Sequence, residues 1–326
     1  MDNGFPRVEG AYTISRLIKE DFLMKYENVI YEVDDRIAKI TLNRPEKRNP
    51  LNWPLLADMS AALKEAERDK NVRVIILKGA GPCFSSGHDL SEEMGDSPLH
   101  KGEKTWDESL KSDDRWGVGV SVWDSRAHVQ GHVNYLLEIW NNWKPIIAQV
   151  HSYCLGGASG IALACDLLIV SEDARLGYPP ARAMAPGDEI PIYSWHVGLK
   201  KAKELSLTGD SLTADEMLDY GMANYVFPME KLEEETLKIA RRIASIDLEL
   251  LSLSKRVVNR TFDQMGFTIS MQYGGEFDTL GHFSDSQAAW SRIVKEKGMK
   301  AALEYRDKPF GGIMGRYPAP RKSRRR

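Results

Sequence analysis

The stretch SYCLGGASGIALACDL, residues 152–167, constrains this chain more than any other. An apolar strand ends in it, the pair Gly156–Gly157 follows, and a helix of small residues begins at once. Glycines at such a junction let the backbone come close to a neighbour, and a helix start presents N–H groups that its own first turn leaves unpaired. The turn therefore either packs tightly against another strand or offers N–H groups, at the positive end of the helix dipole, to a partly negative oxygen. The second reading needs another donor nearby. GAGPCFSSGHDLSEE, residues 79–93, is a second glycine-punctuated strand end that supplies one.

The rest of the chain alternates strands and helices around these two stretches. VIYEVDDRIAKITLNRP predicts a hairpin turning at Asp34–Asp35, LNWPLLADMSAALKEAERD a helix, and VRVIILKGAG a strand buried on both faces. AHVQGHVNYLLEIWNNW predicts a helix, followed by the strands KPIIAQVHSY and DLLIVSE on either side of the glycine turn. Residues 1–27 read as an N-terminal extension, 28–198 as the core, 199–310 as a helical C-terminal region and 311–326 as a basic tail. Within the core, residues 93–124 break the rhythm. Their glycines, with Trp106, Trp116 and Trp123, suggest an irregular insertion or lid. SQAAWSRIVKEKGMKAALEY reads as one helix near the end.

Composition excludes several classes. With 326 residues and 42% hydrophobic content the chain can bury a large core. No apolar run reaches the roughly 20 residues of a membrane helix, and the N-terminus lacks a basic-then-apolar leader, so a cytoplasmic protein without membrane contact is expected. Cys83, Cys154 and Cys165 sit in or beside apolar segments without ligand spacing and read as buried thiols. Net charge is −3, and without the five cations of the last six residues the body carries −8. Nucleic acid is not an expected partner, and the basic tip reads as a solvated end.

Four fragments in this order resemble the crotonase, or enoyl-CoA hydratase/isomerase, superfamily. They are ITLNRPEKRNPLN (40–52), VRVIILKGAGPCFSSGHDL (72–90), KPIIAQVHSYCLGGASGIALACDLLIVSEDARLG (144–177) and LSLTGDSLTADEMLDYGMANYVF (205–227). The resemblance, over roughly residues 26–265, implies an α/β spiral of strand-strand-helix turns with a helical C-terminal region that packs into trimers or hexamers. It also implies an acyl-CoA substrate, with coenzyme A present only as part of it and no permanent cofactor. The N–H groups of His88 and Gly157 would polarise the thioester carbonyl and hold the enolate oxygen, each such donor being worth about 3–4 kcal/mol at a transition state. Arg44, Lys47 and Arg48, with Ser86, stand where the family meets the nucleotide end of coenzyme A. They read as phosphate contacts or as a solvated turn.

What the chain lacks is equally informative. Typical hydratases use two glutamates, and here those positions hold Gly160 and Pro180, neither of which moves a proton. Asp188, after Pro186–Gly187, is the leading replacement. It resembles the acidic position of aromatic acyl-CoA dehalogenases and of β-diketone hydrolases, and it could equally be a helix N-cap before Ile190. Glu189 is a further acid/base candidate. His128 and His132, four apart on one helix face, read as proton-transfer groups; a metal is not expected, because no third ligand is evident. Tyr178 and Arg182 flank the empty glutamate position and could orient a substrate carbonyl or carboxylate. The expected activity is acyl-CoA hydration or isomerisation through an enolate. The alternatives are hydrolysis of a C–C bond or thioester and, in another class, a catalytically silent binding homologue.

Overall fold

The computed structural model describes residues 26–90 and 121–316. Strands β1 (Val29–Asp34) and β2 (Ile37–Leu42) pair antiparallel, with Val29 opposite Leu42 and Asp34 opposite Ile37. The turn falls one residue later than the sequence suggests. Asp35 and Arg36 both take positive φ, 47° and 65°, the twist a two-residue hairpin turn requires. Helix α1 (Trp53–Arg68) starts at Asn52, whose side chain accepts the Leu55 N–H, and leads to β3 (Val74–Gly79). Helix α2 (Val122–Asn141), capped by Ser121, begins earlier than its apolar spacing predicts and returns to β4 (Ile146–Val150).

β5 (Tyr153–Leu155), α3 (Gly157–Ala164), β6 (Leu167–Ser171) and β7 (Arg175–Gly177) follow. Then α4 (Ile190–Thr208), bent at Gly198 (φ 75°), leads to β8 (Ser211–Thr213), α5 (Ala214–Asp219) and β9 (Tyr225–Phe227). Helices α6 (Met229–Ala244), α7 (Leu248–Gln264), α8 (Phe267–Gly281), α9 (Asp285–Lys297) and α10 (Met299–Asp307) close the chain.

The main sheet has the order β1-β2-β3-β4-β6-β9 and is parallel from β2 onward. Its strands alternate between two apolar layers. Ile37, Val74, Ile76, Ile147 and Ile169 meet Leu232, Ala240 and Ala244 of α6. Ala38, Ile40, Ile75, Leu77 and Ala148 face the larger core with α1 and α3. Burial on both faces explains the uninterrupted apolar runs of β3 and β4. A smaller sheet, β5-β7-β8, extends past β5 through the single bridges Ser85–Cys154 and Leu51–His88. This second layer carries both glycine turns, and it is mixed α/β architecture with a helical C-terminal region.

Three local expectations change. The stretch after residue 199 contains strands β8 and β9, each three residues long, too short to show a period. The helix predicted near the end is broken at Gly298 (φ 81°, ψ 167°) into α9 and α10. The apolar side of α6 is spent on its own sheet, whereas α7 and α8 leave Leu250, Leu253, Val257, Ile269, Tyr273 and Phe277 exposed. The extension up to residue 25, residues 93–120 of the suggested lid and residues 317–326 of the basic tail lie outside the described residues. No described helix is long and apolar enough to cross a membrane. The three cysteines are buried free thiols.

Candidate active site

The site forms where the second layer ends. Leu51 N–H donates to the Gly87 carbonyl at 2.8 Å and Asp89 N–H to the Leu51 carbonyl at 3.0 Å. That pairing turns the His88 N–H the other way, toward the side where β5 has already stopped. Gly87 (φ 98°) and Gly156 (φ 55°) face each other there. A Cβ on Gly87 would stand 2.5 Å from the Leu155 carbonyl oxygen, so only glycine lets the two chain segments close up. The backbone N–H groups of His88 and Gly157 both line this junction, and neither has a hydrogen-bond partner among the described residues.

The His88 ring lies directly over Gly157, where a Cβ would come within 2.4 Å of Cε1 and Nε2. Its Nε2 is 2.8 Å from Glu189 Oε1. Glu189 is 1% exposed, and its side chain runs past Gly160, where a Cβ would meet Glu189 Cγ at 2.5 Å. Glu189 thus occupies the space beside Gly160. Leu51, Leu56, His132, Tyr135, Leu136 and Ile161 complete the pocket around His88, Gly157 and Glu189.

Burial governs the proton affinities. It raises Glu189 from 4.5 to about 7, while the facing Asp188 and Tyr178 hydroxyl favour its ionised form. Burial, then the charge of Glu189, pushes Asp188 well above the ordinary carboxylate range. It lowers His88 and drives His132 well below the usual imidazole value, with His88 and His128 adding to the second shift. At neutral pH the site therefore holds neutral imidazoles next to a carboxylate poised to take or give a proton. Among the described residues, Asp188 Oδ2, Glu189 Oε2 and His88 Nδ1 have no partner at full hydrogen-bonding geometry.

The other candidates separate into those the fold brings to the pocket and those it uses elsewhere. His132 stacks between His88 (4.2 Å) and Trp53 (4.7 Å), and His128 meets the Trp53 edge-on at 5.0 Å. The residues spaced for a cation are His88, Asp188 and Glu189, within 4.8 Å of one another, rather than the His128–His132 pair. Asp188 does not cap α4: the cap residue is Glu189, without a side-chain cap bond. The Tyr178 ring packs on Gly187, where a Cβ would sit 2.3 Å from Cζ, and so supports the turn before Glu189.

Arg182 does not line the pocket. Its fully buried guanidinium pairs with Asp210 (3.1 Å) and Asp307 (3.3 Å) and donates to the Gly312 and Gly315 carbonyls, so it ties the chain end to the core. Arg44 is likewise buried, bonded to Asp89 at 2.8 Å and to the Pro50 carbonyl at 2.9 Å, and is not a phosphate contact at the surface. Lys47, Arg48 and Ser86 stay exposed, with Ser86 N–H bonded to the Arg48 carbonyl. Trp140 stacks on Phe267 at 4.0 Å and is packing. Trp123 is exposed, and Trp106 and Trp116 lie outside the described residues.

Sequence reading did not single out the His88 side chain, nor Asp278 and His282 of α8. Asp278 Oδ1 accepts the Gly187 N–H at 2.7 Å, and Asp278 Oδ2 lies 3.5 Å from His282 Nε2. The signal available in the sequence is weak, an i, i+4 Asp–His pair on a helix otherwise read for packing.

Fold and site together define an α/β spiral enzyme scaffold whose second layer presents two free N–H groups beside a half-buried histidine and the buried carboxylate it contacts. The chain belongs to the enoyl-CoA hydratase/isomerase family, whose model matches residues 32–116 and 123–313. EchA13 of Mycobacterium tuberculosis, assigned as an enoyl-CoA hydratase, is 35% identical over 288 residues, 86% of this chain and 87% of its own length. The crystal structure of an enoyl-CoA hydratase/isomerase from Xanthobacter autotrophicus Py2 is 33% identical, covers 88% of this chain and 99% of its own, and superposes with a TM-score of 0.76. An enoyl-CoA hydratase structure from Mycobacterium smegmatis, 28% identical, reaches 0.79 over 89% of this chain and 97% of its own. The crotonase fold expected from the four fragments is the fold observed.

Proposed function

We propose that this protein transforms an acyl-CoA thioester through an enolate, with His88 and Glu189 replacing the two glutamates of typical hydratases. The observation that carries this reading is the 2.8 Å His88–Glu189 contact beside two unpaired N–H groups. A thioester oxygen seated between the N–H groups of His88 and Gly157 gains charge as a proton leaves the adjacent carbon, and fixed donors stabilise that charge without reorganisation. In isomerisation that proton passes to the Glu189 carboxylate or the neutral His88 ring and is returned at a neighbouring carbon; in hydration the pair instead takes a proton from water as its oxygen bonds to the β-carbon, the charge gathers on the thioester oxygen, and that proton is delivered to the α-carbon. The exposed Lys47 and Arg48 suit the coenzyme A phosphates, and coenzyme A enters only as part of the substrate. The exposed apolar faces of α7 and α8 fit a homotrimer or hexamer.

Pro180 favours a second reading. With no carboxylate at that position, water attack on a β-dicarbonyl or thioester carbonyl, promoted by the His88–Glu189 pair, would use the same N–H groups for a tetrahedral oxyanion. Incubating the protein with enoyl-CoA, β-ketoacyl-CoA and cyclic diketone substrates, with products followed by mass, decides. On an enoyl-CoA, a mass gain of one water or an unchanged mass with a shifted double bond supports the first reading; a β-ketoacyl-CoA cleaved in two, a released free thiol, or a cyclic diketone opened with the gain of one water supports the second. No turnover on any of them favours a silent binding homologue.

A further inference from the structure

Helix α8 turns one side to solvent and the other to the site. Its buried residues include Met271, Gly274, Gly275, Asp278 and Thr279, and His282 follows at its end. Gly274 lets the helix press on the turn before α4, since a Cβ there would lie 2.7 Å from the Asp188 carbonyl oxygen and 2.6 Å from Pro191 Cγ. Resting on the acid/base reading of His88 and Glu189 above, we propose that Asp278 is a positioning residue. It holds the turn bearing Asp188 and Glu189 through the Gly187 N–H, and its charge sets from behind how tightly the His88–Glu189 pair holds its proton.

The geometry separates these two roles. An asparagine at 278 would accept the Gly187 N–H equally well, so the bond alone does not call for a carboxylate. A buried carboxylate without a cation is costly, and among the described residues no lysine or arginine is paired with Asp278; the ring beside it is that of His282, 3.5 Å away, whose Nδ1 lies 2.8 Å from Ser125 Oγ. The titratable groups facing this region are His282 on α8, Asp188 and Glu189 on the turn, Tyr178 before it, His88 on the second layer, and His128 and His132 on α2. Burial and then Asp188 raise Asp278 to about 7, against the Gly187 N–H, which lowers it. Burial takes His282 down to about 4, so it is neutral at pH 7. The Asp278 charge in turn raises the proton affinity of both His88 and Glu189.

Asp278→Asn keeps the acceptor and removes the charge. The His88 ring resonances, assigned with His88→Gln, should titrate about one pH unit lower in Asp278→Asn than in the parent, and the acid limb of kcat/KM should move down by a similar amount. Plateau turnover should stay within a few-fold. An unshifted His88 midpoint and an unshifted acid limb in a folded variant would overturn the proposal and leave Asp278 a purely structural acceptor. The NMR arm needs no substrate, so the proposal can stand or fall even if no acyl-CoA is turned over. Should Asp278→Asn fail to fold, Asp278→Ser, which keeps an oxygen acceptor without the charge, decides by the same measurement: a lower His88 midpoint supports the proposal and an unchanged one overturns it.

Discussion

Glu189 reaches the space beside Gly160 from the turn before α4, its Cγ within 2.5 Å of where a Gly160 Cβ would stand. The two positions are far apart in sequence and adjacent in space. A small residue at one is the condition for a carboxylate at the other.

Gly160→Ala should therefore displace Glu189 rather than only fill a void. Leu136 on the far side, 3.3 Å from the same Cβ, leaves little room to retreat. Overpacking of this kind typically costs about 1–3 kcal/mol. The expected outcome is a fall in kcat of about tenfold or more with the fold retained, read from steady-state kinetics and denaturant unfolding. Unchanged kcat would show that Glu189 does not act from its present place.

Glu189→Gln should lose activity and gain stability. The predicted loss is about 10²- to 10⁴-fold in turnover, the usual contribution of a general acid or base. Folded Glu189 titrates at about 7 against an ordinary 4.5. The folded state thus binds the extra proton, and stability linked to this group is full below about pH 4.5 and lost as pH rises through 7. At pH 8 the glutamine variant avoids the buried charge and should be more stable by about 1–3 kcal/mol, while at pH 4 the two proteins should match. Unfolding midpoints at both pH values test the sign.

The same titration sets the activity profile. If ionised Glu189 serves the reaction, kcat/KM should rise with pH through about 7, and excess chelator should leave it unchanged. A profile flat from about pH 5 to 9 would remove Glu189 from the role of base.

Asp188→Asn should cost less than Glu189→Gln. Asp188 is 1% exposed and faces Glu189 rather than the pocket lining. A loss of about tenfold or less is expected, with the helix start intact because Asp188 makes no cap bond there. A loss matching that of Glu189→Gln would make Asp188 the proton carrier, as the sequence alone suggests.

Assembly is testable at the exposed apolar stripe. Val257, Ile269, Tyr273 and Phe277 are 69%, 53%, 59% and 66% exposed in the isolated chain, more than a solitary monomer normally leaves clustered. Light scattering should report three or six copies, and Phe277→Asp should reduce that number. A monomeric parent at micromolar concentration would leave the stripe unexplained by self-association.

Local physics made much of this protein legible without coordinates. The apolar run of β3, the amphipathic spacing of α1 and the glycine pair before α3 each follow from nearest-neighbour sterics and burial on one or two faces. That Gly160 and Pro180 stand where relatives carry glutamates is what the family resemblance implies, and local physics does not reach it. Local reading misplaces the hairpin turn by one residue and misses the break at Gly298, because the first depends on the φ of Asp35 and Arg36 and the second on that of Gly298.

What the sequence could not rank was decided by packing between distant segments. Glu189 and Asp188 are neighbours with the same chemistry, and only the bend of the turn, held by Asp278 through Gly187, sends one to His88 and leaves the other behind it. Arg44 and Arg182 look like surface cations in a string of residues and become buried ion-pair partners once Asp89, Asp210 and Asp307 close around them. Composition and periodicity determine which elements form and which faces they bury. The identity of the group that meets substrate depends on angles between elements far apart in the chain, which no local pattern encodes.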